Sequence, residues 1–220
     1  MNQEITKNKT EIQKQNLETQ IIRGSEVPEE SKKNPFYNSY HWAMADWEEK
    51  RLYLPDNSDE AISFAVAAHE LGHLVDEGRI QPDRFDFRAT YAEEQRAWAG
   101  GWGYLEKYLL DYYDNNFEAV EQIRLVGKEI EKLLMEITRM TEFFYQKTDR
   151  DKNSQREEFL KTAEGQRVKL AINGLRKSVE QKVRELKLDI FLNRINWDKY
   201  IMVVSKAVMD IERDNMELEK

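Results

Sequence analysis

Polar residues dominate the first 33 positions of the chain, and regularly spaced apolar residues appear only after them. This first segment is rich in Gln, Asn, Lys and Glu, and it ends with Gly24, Pro28 and a charged run. Such a composition is typical of a disordered arm, or of a frayed helix, that is followed by a linker. Residues 1–33 are therefore predicted to be a polar arm that is either disordered or helical.

Two short segments that follow the arm combine aromatic and aliphatic residues in the way that β-strands do. Residues 40–47 (YHWAMADW) and 51–55 (RLYLP) flank a charged turn, which predicts a β-hairpin. The next segment, residues 58–76, is so apolar that it predicts a largely buried helix. Asn57 and Glu60 have the spacing of a capping box, which predicts that this helix begins directly after Asn57.

The remainder of the chain has the apolar periodicity of packed helices. A helix is predicted over residues 90–110, and apolar residues then recur at spacings of three and four over residues 123–144. Two further stripes follow over residues 168–190 and 201–211. These stripes predict a long helical hairpin or bundle, with coiled-coil-like packing, over residues 115–220.

Together the patterns predict an α+β fold that is mostly α and is organised in three parts. The polar arm over residues 1–33 precedes a domain with a small sheet over residues 34–114. The helical region over residues 115–220 completes the chain.

The net charge and the lack of cysteine narrow the classes of function. The 220 residues have a formal net charge of -8 and a pI near 5.2. Nucleic acid is therefore not expected as a partner, since phosphate backbones attract basic surfaces. The chain has no Cys, so any metal must be held by His and carboxylates. The first residues lack the apolar segment of a secretory signal, and no apolar run has the length of a membrane span, which predicts a cytoplasmic protein without a membrane partner.

The sequence His69-Glu70-Leu71-Gly72-His73 lies in the predicted buried helix. Two His residues four positions apart share one helix face, so both imidazoles can reach one cation. Imidazoles and a carboxylate are costly to bury among Ala, Val and Ile unless they have a function. With Zn²⁺ on His69 and His73, Glu70 is predicted to act as general base on the zinc-bound water. Gly72 has no side chain, which lets a second helix approach the metal.

A catalytic zinc site needs a third protein ligand beside the two imidazoles. The segment AEEQRAWAGG supplies Glu93 and Glu94 on a predicted helix, with small residues that permit close approach to the first helix. The motif AHELGHLVD, this second helix and a preceding hairpin that ends in LYLP resemble the IrrE/ImmA-like metallopeptidases, which are gluzincins. The resemblance covers residues 40–105.

This resemblance implies a zincin-like domain over residues 34–114 and a zinc metallopeptidase that hydrolyses peptide bonds of a protein or peptide substrate. Aligned on the Glu that precedes the small and aromatic residues, it implies Glu94 as the third ligand, with Glu93 as the alternative. The sequence departs from the gluzincin pattern at Trp98, where some gluzincins have an Asp that supports the metal ligands.

The motif does not define the group that polarises the substrate carbonyl. Tyr91, one helical turn before the implied ligand Glu, is the first candidate, and His41 and Tyr104 are the others. Asp76, which follows the motif, is either a hydrogen-bond partner of a ligand imidazole or a solvent-facing residue at the helix end.

Two functions from different classes are compatible with these residues. The first is the zinc metallopeptidase, and the second is a non-catalytic zincin-fold module whose helical half binds a partner or self-associates. Glu70 favours the first, since a purely structural zinc site needs no carboxylate at that place. The long helical half favours the second.

Overall fold

A small sheet and a larger set of helices make up this computed structural model, which describes residues 19–33, 37, 43–46, 49–75, 87–148, 153–185 and 194–218. The sheet consists of strands β1 (Gln20–Arg23), β2 (Met44–Asp46) and β3 (Arg51–Leu54) in the order β1-β3-β2. Strand β3 pairs in parallel with β1 and antiparallel with β2. The fold class predicted from the sequence, α+β and mostly α, is confirmed.

The predicted hairpin is present as strands β2 and β3. Lys50 adopts a positive φ of 51° in the turn that joins them, a conformation that tight turns use. Leu52 and Leu54 are fully buried, so one face of β3 packs into the core. Residues 40–42 and 47 of the predicted hairpin lie outside the described part of the chain.

Strand β1 corrects the prediction of a polar arm. Residues 20–23, which were assigned to that arm, pair with the whole length of β3, and Ile21 packs against the core. The local composition is polar, but β3 offers a row of backbone partners that outweighs it, since strand formation depends strongly on context. The prediction of a disordered or helical arm is therefore wrong for these residues, which form a strand, and residues 1–18 lie outside the described part.

The helices follow in chain order, and two of them are single turns. They are α1 (Glu29–Lys32), α2 (Glu60–Val75), α3 (Phe87–Leu105), α4 (Leu109–Tyr112), α5 (Phe117–Lys147), α6 (Asn153–Lys161), α7 (Ala163–Glu185) and α8 (Trp197–Leu218). Short 3-10 turns cover Gly24–Glu26 and Glu106–Tyr108. None of the helices described is both long enough and apolar enough to cross a membrane.

Helix α2 does not begin in the way that the capping box predicted. The carbonyl of Asp59 accepts the first helical hydrogen bond, from the Ser63 N–H at 2.9 Å. Asn57 Oδ1 is buried and has no hydrogen-bond partner among the described residues, while the Glu60 carboxylate accepts two tyrosine hydroxyls. The capping-box prediction is wrong, because tertiary hydrogen bonds occupy the carboxylate that would have closed the box.

A single hydrophobic core crosses the predicted domain boundary at residue 114. It contains fully or nearly fully buried residues from β3, α2, α3, α5 and α8, among them Leu52, Phe64, Leu105, Ile130 and Tyr200. A second, smaller cluster of Phe144, Val168 and Ile172 lies between the far ends of α5 and α7. The long helices therefore contribute to the same core as the sheet and the motif helix.

Candidate metal centre

Two helices bring the predicted ligands together. His69 and His73 lie one turn apart on α2, and Glu94 extends from α3, the helix that packs most extensively against α2. Glu94 Oε2 is 3.1 Å from His69 Nε2 and 3.6 Å from His73 Nε2, and the two Nε2 atoms are 3.2 Å apart. Within the described part of the chain this is the group of three His or acidic residues whose ligand atoms could share one metal ion.

The triangle of ligand atoms has the size that a tetrahedral zinc ion needs. Zinc binds imidazole nitrogen and carboxylate oxygen at about 2.0–2.2 Å, so tetrahedral ligand atoms lie about 3.3–3.6 Å apart. The three separations, 3.1, 3.2 and 3.6 Å, are close to that range. The residues therefore fit a metal that takes nitrogen and oxygen ligands, although the set does not by itself select zinc.

Burial and mutual attraction set the charges in the cluster. Burial acts to raise the pKa of Glu94, but hydrogen bonds from His69 and His73 and their positive charges hold that pKa well below its usual value. Burial acts to lower the pKa of His73, but the hydrogen bond and charge of Glu94 outweigh it and raise that pKa to about 9. Glu94 and His73 therefore attract each other at the place that a metal cation would occupy.

Glu70 lies between the two ligand imidazoles in sequence and is 6% exposed. Burial raises the pKa of its carboxyl, while the charges of His69 and His73 and a hydrogen bond from the Ala45 backbone partly oppose this. Ala45 belongs to β2, so the outer edge of the sheet contacts the motif. A buried carboxylate with a raised pKa is suited to accept a proton near neutral pH.

Two glycines let α2 and α3 touch backbone to backbone beside the ligands. A Cβ on Gly72 would lie 1.7 Å from the Ala97 carbonyl oxygen, and a Cβ on Gly101 would lie 1.6 Å from the Ala68 oxygen. Neither atom can be added unless the helices separate. The close approach expected at Gly72 is confirmed, and Gly101 is its counterpart on the second helix.

Trp98 stacks on the ring of His69, with 4.2 Å between ring centroids and 26° between planes. It stands at the position where the resemblance led us to look for a supporting Asp, so the imidazole is held there by an aromatic face. The other ring nitrogen, His69 Nδ1, is buried and has no hydrogen-bond partner among the described residues. Trp98 is also part of the hydrophobic core, and its one-turn spacing from Glu94 places the two side chains on the same face of α3.

The remaining candidate site residues fall into two groups, those that the structure describes and those that lie outside its described part. Tyr91 is half-buried one turn before Glu94 and interacts electrostatically with Arg139 of α5, whereas the Tyr104 hydroxyl donates to Asp214 at 2.9 Å. Asp76 and His41 lie outside the described residues.

The two neighbouring carboxylates of α3 are not equivalent in position. Glu94 reaches both imidazoles, whereas the charge of Glu93 acts to raise the pKa of His73.

The chain matches no protein-family model, no curated protein and no solved structure. The resemblance to the IrrE/ImmA-like family therefore stays a prediction from the motif and the second helix.

Proposed function

We propose that the protein is a zinc metallopeptidase in which His69, His73 and Glu94 hold the metal and Glu70 is the general base. The observation that carries this proposal is the triangle of ligand atoms, of tetrahedral size, with a buried carboxylate next to it in sequence. Zinc in such a site supplies Lewis acidity to a water molecule and to the substrate carbonyl.

The chain's own residues provide the proton transfer. Glu70 takes the proton from the water that attacks the scissile carbonyl and passes it to the leaving amine. Its raised pKa assists the second step, because a weakly acidic carboxyl holds the proton until the amine accepts it. We retain Tyr91 as the candidate that polarises the carbonyl, since it precedes Glu94 by one turn on the same helix.

The sheet favours an extended peptide as substrate. Strand β2 is at the edge of the sheet order β1-β3-β2, and its Ala45 backbone hydrogen-bonds Glu70. An extended peptide can add to such an edge through main-chain hydrogen bonds, which would bring its carbonyl groups next to the motif. This geometry supports a peptide-bond hydrolase over a hydrolase of small molecules.

The alternative is a non-catalytic zincin-fold module. Such a module has no use for Glu70, whose burial costs free energy unless the carboxylate has a role. The core that joins α5 and α8 to α2 also gives the helical half a structural task within the same fold. Both observations favour the peptidase, and no contact in the described residues favours the module specifically.

The test compares Glu70→Gln with wild type for zinc content and for cleavage of an unfolded protein such as casein. The amide has nearly the same volume but no basicity, so zinc should remain bound while cleavage falls by about a hundred- to ten-thousandfold. Glu129→Gln, which changes an exposed acid on α5, is the matched control and should cleave like wild type.

Two outcomes contradict the proposal. Zinc-dependent cleavage that survives Glu70→Gln would assign the proton transfer to another group. Zinc retained in both His69→Ala and His73→Ala would show that the metal site lies elsewhere.

A further inference from the structure

Helix α5 lies antiparallel against α3 on the side of the metal centre. The clearest contact is Gly127 against Trp102, where an added Cβ would lie 2.4 Å from the indole ring. Further along, Arg139 interacts electrostatically with Tyr91. From Gly127 to Arg139, α5 runs forward by twelve residues, while the residues that it faces on α3 run backward by eleven, from Trp102 to Tyr91. The two helices are therefore antiparallel.

This alignment places Glu131 of α5 opposite Trp98, the residue that stacks on His69. Glu131 is one turn beyond Gly127, and Trp98 is one turn before Trp102. The long helix thus directs an acidic side chain toward the metal-binding helix pair.

Three buried nitrogen atoms in this region have no hydrogen-bond partner within the described chain. They are His69 Nδ1, Trp98 Nε1 and Trp102 Nε1. A buried donor that makes no hydrogen bond costs about 1–3 kcal/mol, so a cluster of them is expected to surround an acceptor.

Glu131 is a carboxylate that interacts with two of these three residues, Trp102 and His69. Burial raises the pKa of its carboxyl, and the Trp102 indole together with the charges of Lys128, His69 and Lys132 only partly opposes this. The Trp102 Nε1–H approaches the carboxylate, although it is not aligned for a full hydrogen bond. The carboxylate therefore interacts with Trp102 and, through its charge, with His69, the imidazole on which Trp98 stacks.

We propose that Glu131 is a positioning residue for the metal centre. Its carboxylate accepts a hydrogen bond from His69 Nδ1–H, directly or through one water, and so fixes the tautomer that presents Nε2 to the metal. Carboxylates that orient a ligand imidazole in this way are common partners of metal-binding His residues. The inference rests on the metal site proposed above and makes α5 part of that site.

The experiment measures Zn²⁺ and Co²⁺ affinity of the full chain in wild type, Glu131→Gln and Glu131→Leu, with Glu129→Gln as control. Gln keeps an acceptor without charge and Leu removes the acceptor, so affinity should fall in both and further in Leu, by about 10- to 100-fold. Glu129→Gln should bind like wild type. Thermal melts of the metal-free proteins identify any variant that fails to fold, in which case Gln alone decides.

A second measurement separates positioning from general stability. In zinc-loaded protein labelled with ¹⁵N-His, the His69 Nδ1–H signal should be protected from solvent in wild type and lose that protection in Glu131→Leu. Unchanged affinity together with an unchanged His69 signal in the variants would overturn the role of Glu131 alone. A wild type that binds neither metal would overturn both this inference and the proposed function.

Discussion

The two ends of helix α2 each bury a glutamate, and they hold it in different ways. Glu60, in the first turn, accepts hydrogen bonds from Tyr112 at 2.9 Å and Tyr113 at 3.1 Å. Glu70 has a hydrogen bond from the Ala45 backbone and otherwise lies among titratable groups. Burial raises the pKa of both carboxyls, so desolvation alone does not distinguish Glu60, which packing explains, from Glu70, which we propose as a general base.

The polar groups around Glu60 and Glu70 distinguish the two acids. Near Glu60, the Tyr200 hydroxyl donates to the Ser63 carbonyl and the Tyr112 hydroxyl accepts from the Asn196 N–H, so these groups are paired with one another, although Asn57 Oδ1 close by is not. At the other end, His69 Nδ1 has no partner in the described part of the chain. The first end uses polar groups to fix the packing of α8 on α2, whereas the second brings together the ligand atoms of His69, His73 and Glu94, which could hold a metal ion.

The largest expected effect is on zinc affinity, when one of the proposed metal ligands at the second end of α2 is removed. Structural zinc sites release about 10–16 kcal/mol over four ligands, so removing one carboxylate should cost on the order of 3 kcal/mol, about a hundredfold in Kd. Glu94→Ala is therefore expected to lose most of its zinc affinity, while Glu93→Ala, its neighbour on α3, should lose little. Competition with a chromophoric chelator measures both.

Equal losses in the two variants, or a larger loss in Glu93→Ala, would show that the ligand is assigned to the wrong carboxylate. The zinc-dependent rise in Tm offers an independent check, because a ligand that binds only the folded state stabilises it.

A smaller effect is expected from the helix contact that supports the ligands. Gly101→Ala forces a Cβ against the Ala68 carbonyl, which should destabilise the protein by at least about 1–3 kcal/mol and weaken zinc binding as well. Gly103→Ala on the same helix meets nothing within 4 Å and should stabilise by about 0.5–1 kcal/mol, since Ala is the better helix former. Urea unfolding of the metal-free proteins gives both values, and similar stabilities would contradict the close contact.

The sequence predicted the elements with strong periodicity or specific chemistry. Helix α2 was expected over residues 58–76 and spans Glu60–Val75, and the stripe from Ile123 to Phe144 lies within α5. The spacing of His69 and His73 placed both on one face because helical geometry leaves little choice. These predictions depended on local rules, and tertiary contacts did not change them.

Features that depend on distant partners could not be predicted in the same way. Strand β1 forms because it pairs with β3, which follows much later in the chain. Glu60 does not form the predicted capping box because Tyr112 and Tyr113, about fifty positions later, donate hydrogen bonds to its carboxylate. The contact of α5 with α3 near Trp102 also needs the folded chain, since nothing in the sequence links Gly127 to that indole. The predicted boundary at residue 114 came from a change in composition, which does not reveal that both sides share a core.

The smallest expected effect concerns the pH dependence of stability at the structural end of α2. The pKa of Glu60 in the fold is raised above its ordinary value of 4.5, chiefly by burial, so its contribution to stability is fully present below pH 4.5 and is lost as the pH rises through the raised value. Gln resembles the protonated acid at every pH and does not undergo this loss. The Tm of Glu60→Gln minus that of wild type should therefore increase from pH 4 toward neutrality. Glu158→Gln, an exposed change on α6, should show no such trend. A difference that shrinks as the pH rises would mean that the two tyrosine hydroxyls stabilise the ionised acid more than burial destabilises it, and Glu60 would then be held as an anion.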